Sequence, residues 1–132
     1  MDNIIFGVGP KRFRKVCAEP KYNIPLGCST HSHNTYLQIL AETGLIGFFF
    51  IVTLFFSLIY FSLKHFFIKT LKKKFFFNDF QVCLLSAFLI TLWPFAPTGN
   101  FFNNWLNILY YLPIGFFLWS LNKKKSENFG NT

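Results

Sequence analysis

Thr43-Gly44-Leu45-Ile46-Gly47-Phe48-Phe49-Phe50-Ile51-Val52-Thr53-Leu54-Phe55-Phe56-Ser57-Leu58-Ile59-Tyr60-Phe61-Ser62-Leu63 is a run of 21 residues without a charge. A helix rising about 1.5 Å per residue crosses a hydrocarbon core of about 30 Å with roughly 20 such residues. A second uncharged run, from Phe80 to Asn122, has 43 residues, enough for two crossings if a turn divides it. Pro94, Pro97, Gly99 and Asn100 supply that turn, with Asn103 and Asn104 following. The sequence therefore predicts three spans, at about 44–63, 79–96 and 104–121. Three buried helices of a soluble core would need polar outer faces, and these segments are apolar all round.

The net charge of +8 would suit nucleic acid, but its distribution argues against nucleic acid as a partner. Lys64, Lys69, Lys72, Lys73 and Lys74 follow the first predicted span, and Lys123, Lys124 and Lys125 follow the third. Cytoplasmic loops carry such an excess of Lys and Arg, next to anionic membrane lipids. Two crossings separate the clusters, so both can be cytoplasmic together. The expected fold is an all-α integral membrane protein with three transmembrane helices, residues 44–122, and a cytoplasmic tail, residues 123–132. A periplasmic segment with a short helix, residues 1–43, precedes the spans.

That outer segment carries Lys11, Arg12, Arg14, Lys15 and Lys21 against Asp2, Glu19 and Glu42, with no apolar core long enough for a signal peptide. A basic tail is a poor substrate for unaided translocation, so either this topology is wrong or Met1 is internal to a longer membrane protein. The second is the expectation. Ile4-Ile5-Phe6 breaks into a turn at Gly7-Val8-Gly9-Pro10. Two glycines two residues apart let a backbone approach a ligand closely, but they are not a dinucleotide fingerprint. Lys11-Arg12-Phe13-Arg14-Lys15 reads either as adhesion to a membrane surface or as an anion site, since the Arg fork matches phosphate. Its place on the outer side favours the anion site. Cys17 and Cys28 lie where an oxidising compartment allows a disulfide. The bridge would close a loop around Pro20 and Pro25 and contribute about 3 kcal/mol. Free thiols remain the alternative. Cys83 reads as a small apolar residue within a span.

From Cys28 the chain runs Cys-Ser-Thr-His-Ser-His-Asn-Thr-Tyr-Leu-Gln-Ile-Leu-Ala-Glu-Thr-Gly-Leu-Ile-Gly, to Gly47. Thr35 and Gln38 have the form of a capping box, so a helix is expected to start near Asn34 or Thr35. Tyr36, Leu37, Leu40 and Gly44 are expected on one face, and Gly44 and Gly47 suggest a break or close packing. His33 then sits at a helix amino terminus, a place suited to anions, and a neutral imidazole there would suit a general base. His31 and His33 could instead be non-catalytic interfacial residues. A zinc site from Cys17, Cys28, His31 and His33 has the right ligand types but no common ligand spacing, so no metal is assigned. Glu42 is half a helical turn out of phase with His33 and roughly 13 Å along the axis. It is expected to be an interfacial helix residue rather than the group that orients His33.

His33-Asn34, followed by Gly44-Leu45-Ile46-Gly47 with Tyr36, Leu37 and Glu42 between, resembles the motif of the O-antigen ligase and polymerase superfamily. Phe6-Gly7-Val8-Gly9-Pro10 and Phe13 resemble the approach to that family's large periplasmic loop, and Gly99-Asn100-Phe101-Phe102-Asn103-Asn104-Trp105 its last periplasmic hairpin. The resemblance covers nearly the whole chain, but only about the final third of a typical member. It implies a multi-pass bacterial inner-membrane glycosyltransferase of lipopolysaccharide biosynthesis, part of a larger polytopic fold with its active segment facing the periplasm. Such an enzyme moves a glycan from undecaprenyl pyrophosphate to an acceptor hydroxyl, on the lipid A core for a ligase. In a polymerase the acceptor is a growing glycan, and in a protein O-oligosaccharyltransferase a protein side chain. His33 matches the family's key histidine and would act as the base or as a partner of the leaving group. Arg12, Arg14, Lys11 and Lys15 are candidates for pyrophosphate contact, with His31 and Asn34 in supporting contact with substrate. No cofactor is implied. Family members also use arginines on an earlier loop, so this chain alone is expected to be incomplete. A small non-enzymatic membrane subunit is the rival from another class.

Overall fold

The structure is a computed structural model that describes residues 3–22, 28 and 31–130, and of Trp105 and residues 124–130 the backbone alone. Pro25, inside the expected disulfide loop, lies outside the described residues, as do the side chains of Lys124 and Lys125. The described residues are all helical or irregular, with no strand. In chain order the helices are α1 (Phe13–Cys17), α2 (Thr35–Lys72), α3 (Asp79–Thr91) and α4 (Asn104–Gly130). Among the described residues one helix, α2, is long and apolar enough to cross a membrane. Phe49, Phe50, Phe56 and Phe66 on α2 are more than half exposed. A large uncovered apolar surface of this kind marks contact with lipid or with other protein.

α2 is two helical pieces joined at Gly44, whose φ of 70° and ψ of −163° no helix contains. In an unbroken helix the N–H groups of Leu45 and Ile46 would bond the carbonyls of Ala41 and Glu42. Residues 4–9 take both halves of those two bonds instead. Leu45 and Ile46 donate to the carbonyls of Ile4 and Ile5 at 3.0 and 3.4 Å. Val8 and Gly9 donate to the carbonyls of Ala41 and Glu42 at 3.0 and 2.8 Å. The break expected at Gly44 is thus filled by main chain, which leaves these polar groups satisfied. The glycines make it feasible. A Cβ on Gly7 would stand 2.5 Å from the Glu42 carbonyl carbon, and one on Gly44 only 2.2 Å from the Ile5 oxygen. The close approach foreseen for Gly7 is therefore to the chain's own helix.

The chain divides into two units. The first comprises Met1–Phe55 and Leu92–Asn107 and holds every residue considered for chemistry. Its apolar packing centres on Tyr36, Ile39, Ala41, Ile51, Phe55 and Leu92, all buried. Tyr36 meets Phe55 edge-on at 6.2 Å between centroids, and Phe55 meets Trp93 at 6.0 Å.

The second unit comprises Phe56–Thr91 and Ile108–Thr132. Its core is Phe77, Leu85 and Phe88, with Phe117 edge-on to both Phe77 and Phe88. α3 opens with a reciprocal capping box: Asn78 Oδ1 accepts the Gln81 N–H at 2.8 Å, and Gln81 Oε1 accepts the Asn78 N–H at 3.1 Å. The fully buried Gln81 also donates to Ser120 Oγ at 3.1 Å. His65 Nδ1 accepts the Phe77 N–H at 3.1 Å and its ring stacks on Phe77. Lys64, within α2, lies over the Tyr60 and Phe76 rings, and Lys123, within α4, over Trp119.

The two later helices differ from their expected bounds. α3 stops at Thr91, five residues before the expected end at 96, because Pro94 restricts the backbone of its predecessor and offers no N–H. At 13 residues it is about 20 Å long. α4 continues past residue 121 and carries Pro113 in its interior.

Candidate functional site

The histidine helix begins where its polar residues dictate. Asn34 Oδ1 accepts the N–H groups of Tyr36 and Leu37 at 2.9 and 3.1 Å, so Asn34 is the cap of α2. This corrects the capping box read at Thr35 and Gln38. Thr35 is the first helical residue, and its hydroxyl pairs with that of Thr98 at 2.9 Å. The Gln38 side chain turns away from the helix start altogether. The expected start is right, and the residue that makes it is one earlier.

His33 immediately precedes the cap and is exposed. Its φ of 54° is in the left-handed region, unusual for a residue with a side chain. Backbone held in such a region clusters at functional sites and persists only where neighbours fix it. Here the His33 carbonyl accepts the Thr98 N–H at 2.9 Å, and Asn34 Nδ2 donates to the Pro94 carbonyl at 2.6 Å. Its ring lies against that of the half-buried His31, 4.2 Å between centroids. The two histidines are thus brought together, on a backbone fixed from the 92–101 segment.

The basic residues occupy a different part of the same unit. Lys11, Arg12, Arg14 and Lys15 are exposed, on and just before α1. α1 turns Phe13, Val16 and Cys17 the other way, into a cleft of about 380 Å³ that Gly7, Val8, Tyr22 and Ala41 also line. Cys17 and Cys28 are joined in a disulfide, with Cα atoms 5.5 Å apart. That bond ties α1 to the chain three residues before His31. It also engages both sulfurs of the four-ligand zinc set, and among the described residues no group of three His, Cys, Asp or Glu is gathered for a metal.

Below the histidines lies a buried polar network. Thr35, Gln38 and Glu42 are no more than 2% exposed, on one face of α2. Gln38 donates to Asn100 Oδ1 at 2.8 Å and to Glu42 Oε1 at 3.3 Å, and its Oε1 accepts the Phe101 N–H at 2.9 Å. Glu42 Oε2 accepts the main-chain N–H of Lys11. Glu42 is therefore buried among partners, not an interfacial surface residue. Leu37, expected on one face with Tyr36, Leu40 and Gly44, is 58% exposed, about 130° around the helix from the middle of the Thr35–Gln38–Glu42 stripe. The Tyr36 hydroxyl donates to the Leu92 carbonyl at 2.7 Å, and burial pushes its ionisation up to about 12. Sequence reasoning passed over Thr98, and gave Tyr36, Gln38, Glu42 and Asn100 other roles than membership of this network. The available signal was the i, i+3, i+7 spacing of polar residues in an otherwise apolar helix, since a buried polar group needs a partner.

Comparison with known families bears on the segment that holds the cap, both histidines, the basic helix and the filled kink. Residues 1–52 match the O-antigen ligase family. The match ends within α2, so the matched segment includes His33-Asn34 and the Gly44-x-x-Gly47 kink but not the Gly99–Trp105 turn. No curated protein matches the chain, and no solved structure matches it. The match covers 52 of the chain's 132 residues, and among the described residues one helix, α2, is long and apolar enough to cross a membrane.

Proposed function

We propose that this chain carries the periplasmic histidine segment of an enzyme that moves a glycan from undecaprenyl pyrophosphate to an acceptor hydroxyl, the lipid A core in a ligase. The observation that carries the reading is His33, fixed in a left-handed conformation at the start of α2 inside the family-matched segment. In this mechanism the acceptor oxygen attacks the anomeric carbon of the lipid-linked sugar. His33 takes the hydroxyl proton as the new carbon–oxygen bond forms. The bond from the anomeric carbon to pyrophosphate breaks, and the phosphate oxygens leave with its electron pair. Arg12 and Arg14, with Lys11 and Lys15, stabilise that growing negative charge. His31 and Asn34 support His33, one through its ring and the other through the cap. The reading includes a multi-pass inner-membrane topology, with residues 1–43 facing the periplasm and crossings in the regions of α2, α3 and α4.

A deletion strain tests the reaction and separates its two forms. Loss of a ligase leaves finished polymer on the lipid carrier, whereas loss of a polymerase leaves single repeats attached to the core. Complementation by the wild-type gene restores the wild-type pattern in either case. A deletion strain whose glycan is indistinguishable from the parent's contradicts both, and leaves the protein O-oligosaccharyltransferase and the non-enzymatic subunit.

A further inference from the structure

The 92–101 segment makes more polar contacts to the start of α2 than holding a loop in place requires. Six hydrogen bonds join the two: Asn34 to Pro94, Thr98 to His33, Thr35 with Thr98, Tyr36 to Leu92, Gln38 to Asn100, and the Phe101 N–H to Gln38. Gln38 is the buried side chain among them that bonds three residues. At 1% exposure, its amide oxygen is bonded to main chain and its amide nitrogen bridges Asn100 and Glu42. Through Glu42 the same chain of bonds reaches the main chain of Lys11, at the base of the basic segment. One buried amide thus links three separate pieces of chain: the cations, the histidine helix and the 98–101 turn.

We infer that Gln38 is a positioning residue for the proposed transfer, setting His33 and the Lys11–Lys15 segment in register. The inference rests on the function proposed above. It assigns no contact with substrate to Gln38. Substrate meets exposed groups, His33 and the basic side chains, while Gln38 sets the backbone from which they project. A shift of about 1 Å between reacting groups can lower a rate by about 100-fold without weakening binding to match. Replacing the amide with an isosteric apolar group strands the Phe101 N–H and one Glu42 oxygen and leaves Asn100 Oδ1 with the Phe102 N–H alone, so the turn loses its tie to α2 at this point.

The test uses the full protein in its own host membranes, in a Cys83→Ser background, with the host's undecaprenyl-pyrophosphate-linked glycan as donor. Gln38→Leu is expected to lower kcat about 100-fold while KM for the donor stays within about threefold. Exchange of the two amides, Gln38→Asn with Asn100→Gln, keeps the summed side-chain length and is expected to restore much of kcat. A second readout needs no activity. Thr35→Cys with Thr98→Cys places two thiols where the hydroxyls are 2.9 Å apart, and their oxidative cross-linking reports the clamp. Gln38→Leu should slow that cross-link at least about tenfold, and the exchanged pair should recover it. Wild-type kcat in Gln38→Leu overturns the inference, as does a lowered kcat with unchanged cross-linking. Absence of transfer by the wild-type protein overturns the transfer reading and this role with it. The cross-link yields then show whether the clamp itself was described correctly.

Discussion

Substituting Gly44 with alanine should close the break in α2 and expel residues 4–9 from it. At φ 70° and ψ −163° the backbone occupies a region that is essentially restricted to glycine, and a side chain there costs about 1–3 kcal/mol. The added Cβ would also stand 2.2 Å from the Ile5 oxygen and 2.6 Å from the Gly7 nitrogen, both main-chain atoms that cannot rotate aside. Residues 4–9 must therefore move. When it does, four hydrogen bonds between residues 4–9 and α2 are lost and the two helical bonds at Leu45 and Ile46 can re-form. The net loss of two bonds at about 1 kcal/mol each is set against a straightened helix, which makes the open form accessible. That net loss is common to wild type and variant, so the strain and the Cβ contacts alone shift the balance toward the open form, by about 3 kcal/mol or roughly 100-fold. Hydrogen–deuterium exchange read by mass spectrometry in nanodiscs measures this directly. The amides of Val8 and Gly9 should exchange about 100-fold faster in Gly44→Ala than in wild type, while those of Leu45 and Ile46 stay protected. Unchanged protection at Val8 and Gly9 would refute the account of the kink.

Other perturbations give smaller or more local effects. Asn34→Ala removes the cap of α2 and the bond to Pro94, and should lower stability by about 1–2 kcal/mol, read as a fall in Tm. Tyr36 bears on alkaline stability: its ionisation is raised to about 12, so the unfolded chain releases this proton first as pH climbs past 10. Its contribution is full below pH 10 and is lost between about 10 and 12, and Tyr36→Phe should flatten that part of a Tm-against-pH curve. In the second unit, Gln81→Leu leaves Ser120 Oγ and the Asn78 N–H without their partner, costing roughly 1–3 kcal/mol with no change in glycan transfer. Thermal unfolding in detergent reads the first effect, and the deletion-strain complementation reads the second.

The elements that were legible in the sequence follow from local chemistry. The start of α2, its break at Gly44 and the turn after α3 are set by a cap, a glycine and two prolines, each of which acts within a few residues. What stayed hidden depends on distant chain. The capping box read at Thr35 and Gln38 is sound as a pattern, but Asn34 outcompetes Thr35 for the free N–H groups. Gln38 is then drawn to Asn100, 62 residues on. The reciprocal box forms instead at Asn78 and Gln81. Glu42 could be placed half a turn from His33 by counting, yet its burial and its hold on Lys11 needed the position of residues 3–11. Conversely, Leu37 is 58% exposed, so an apolar residue type did not by itself mark the packed face.

The central claim is that His33 serves the transfer as a base, and one rate measures it. Purified wild-type and His33→Ala proteins in lipid vesicles, given saturating undecaprenyl-pyrophosphate-linked glycan and acceptor, should differ in single-turnover transfer by about 10²–10⁴-fold, with equal membrane insertion. Transfer by His33→Ala at the wild-type rate would contradict the account.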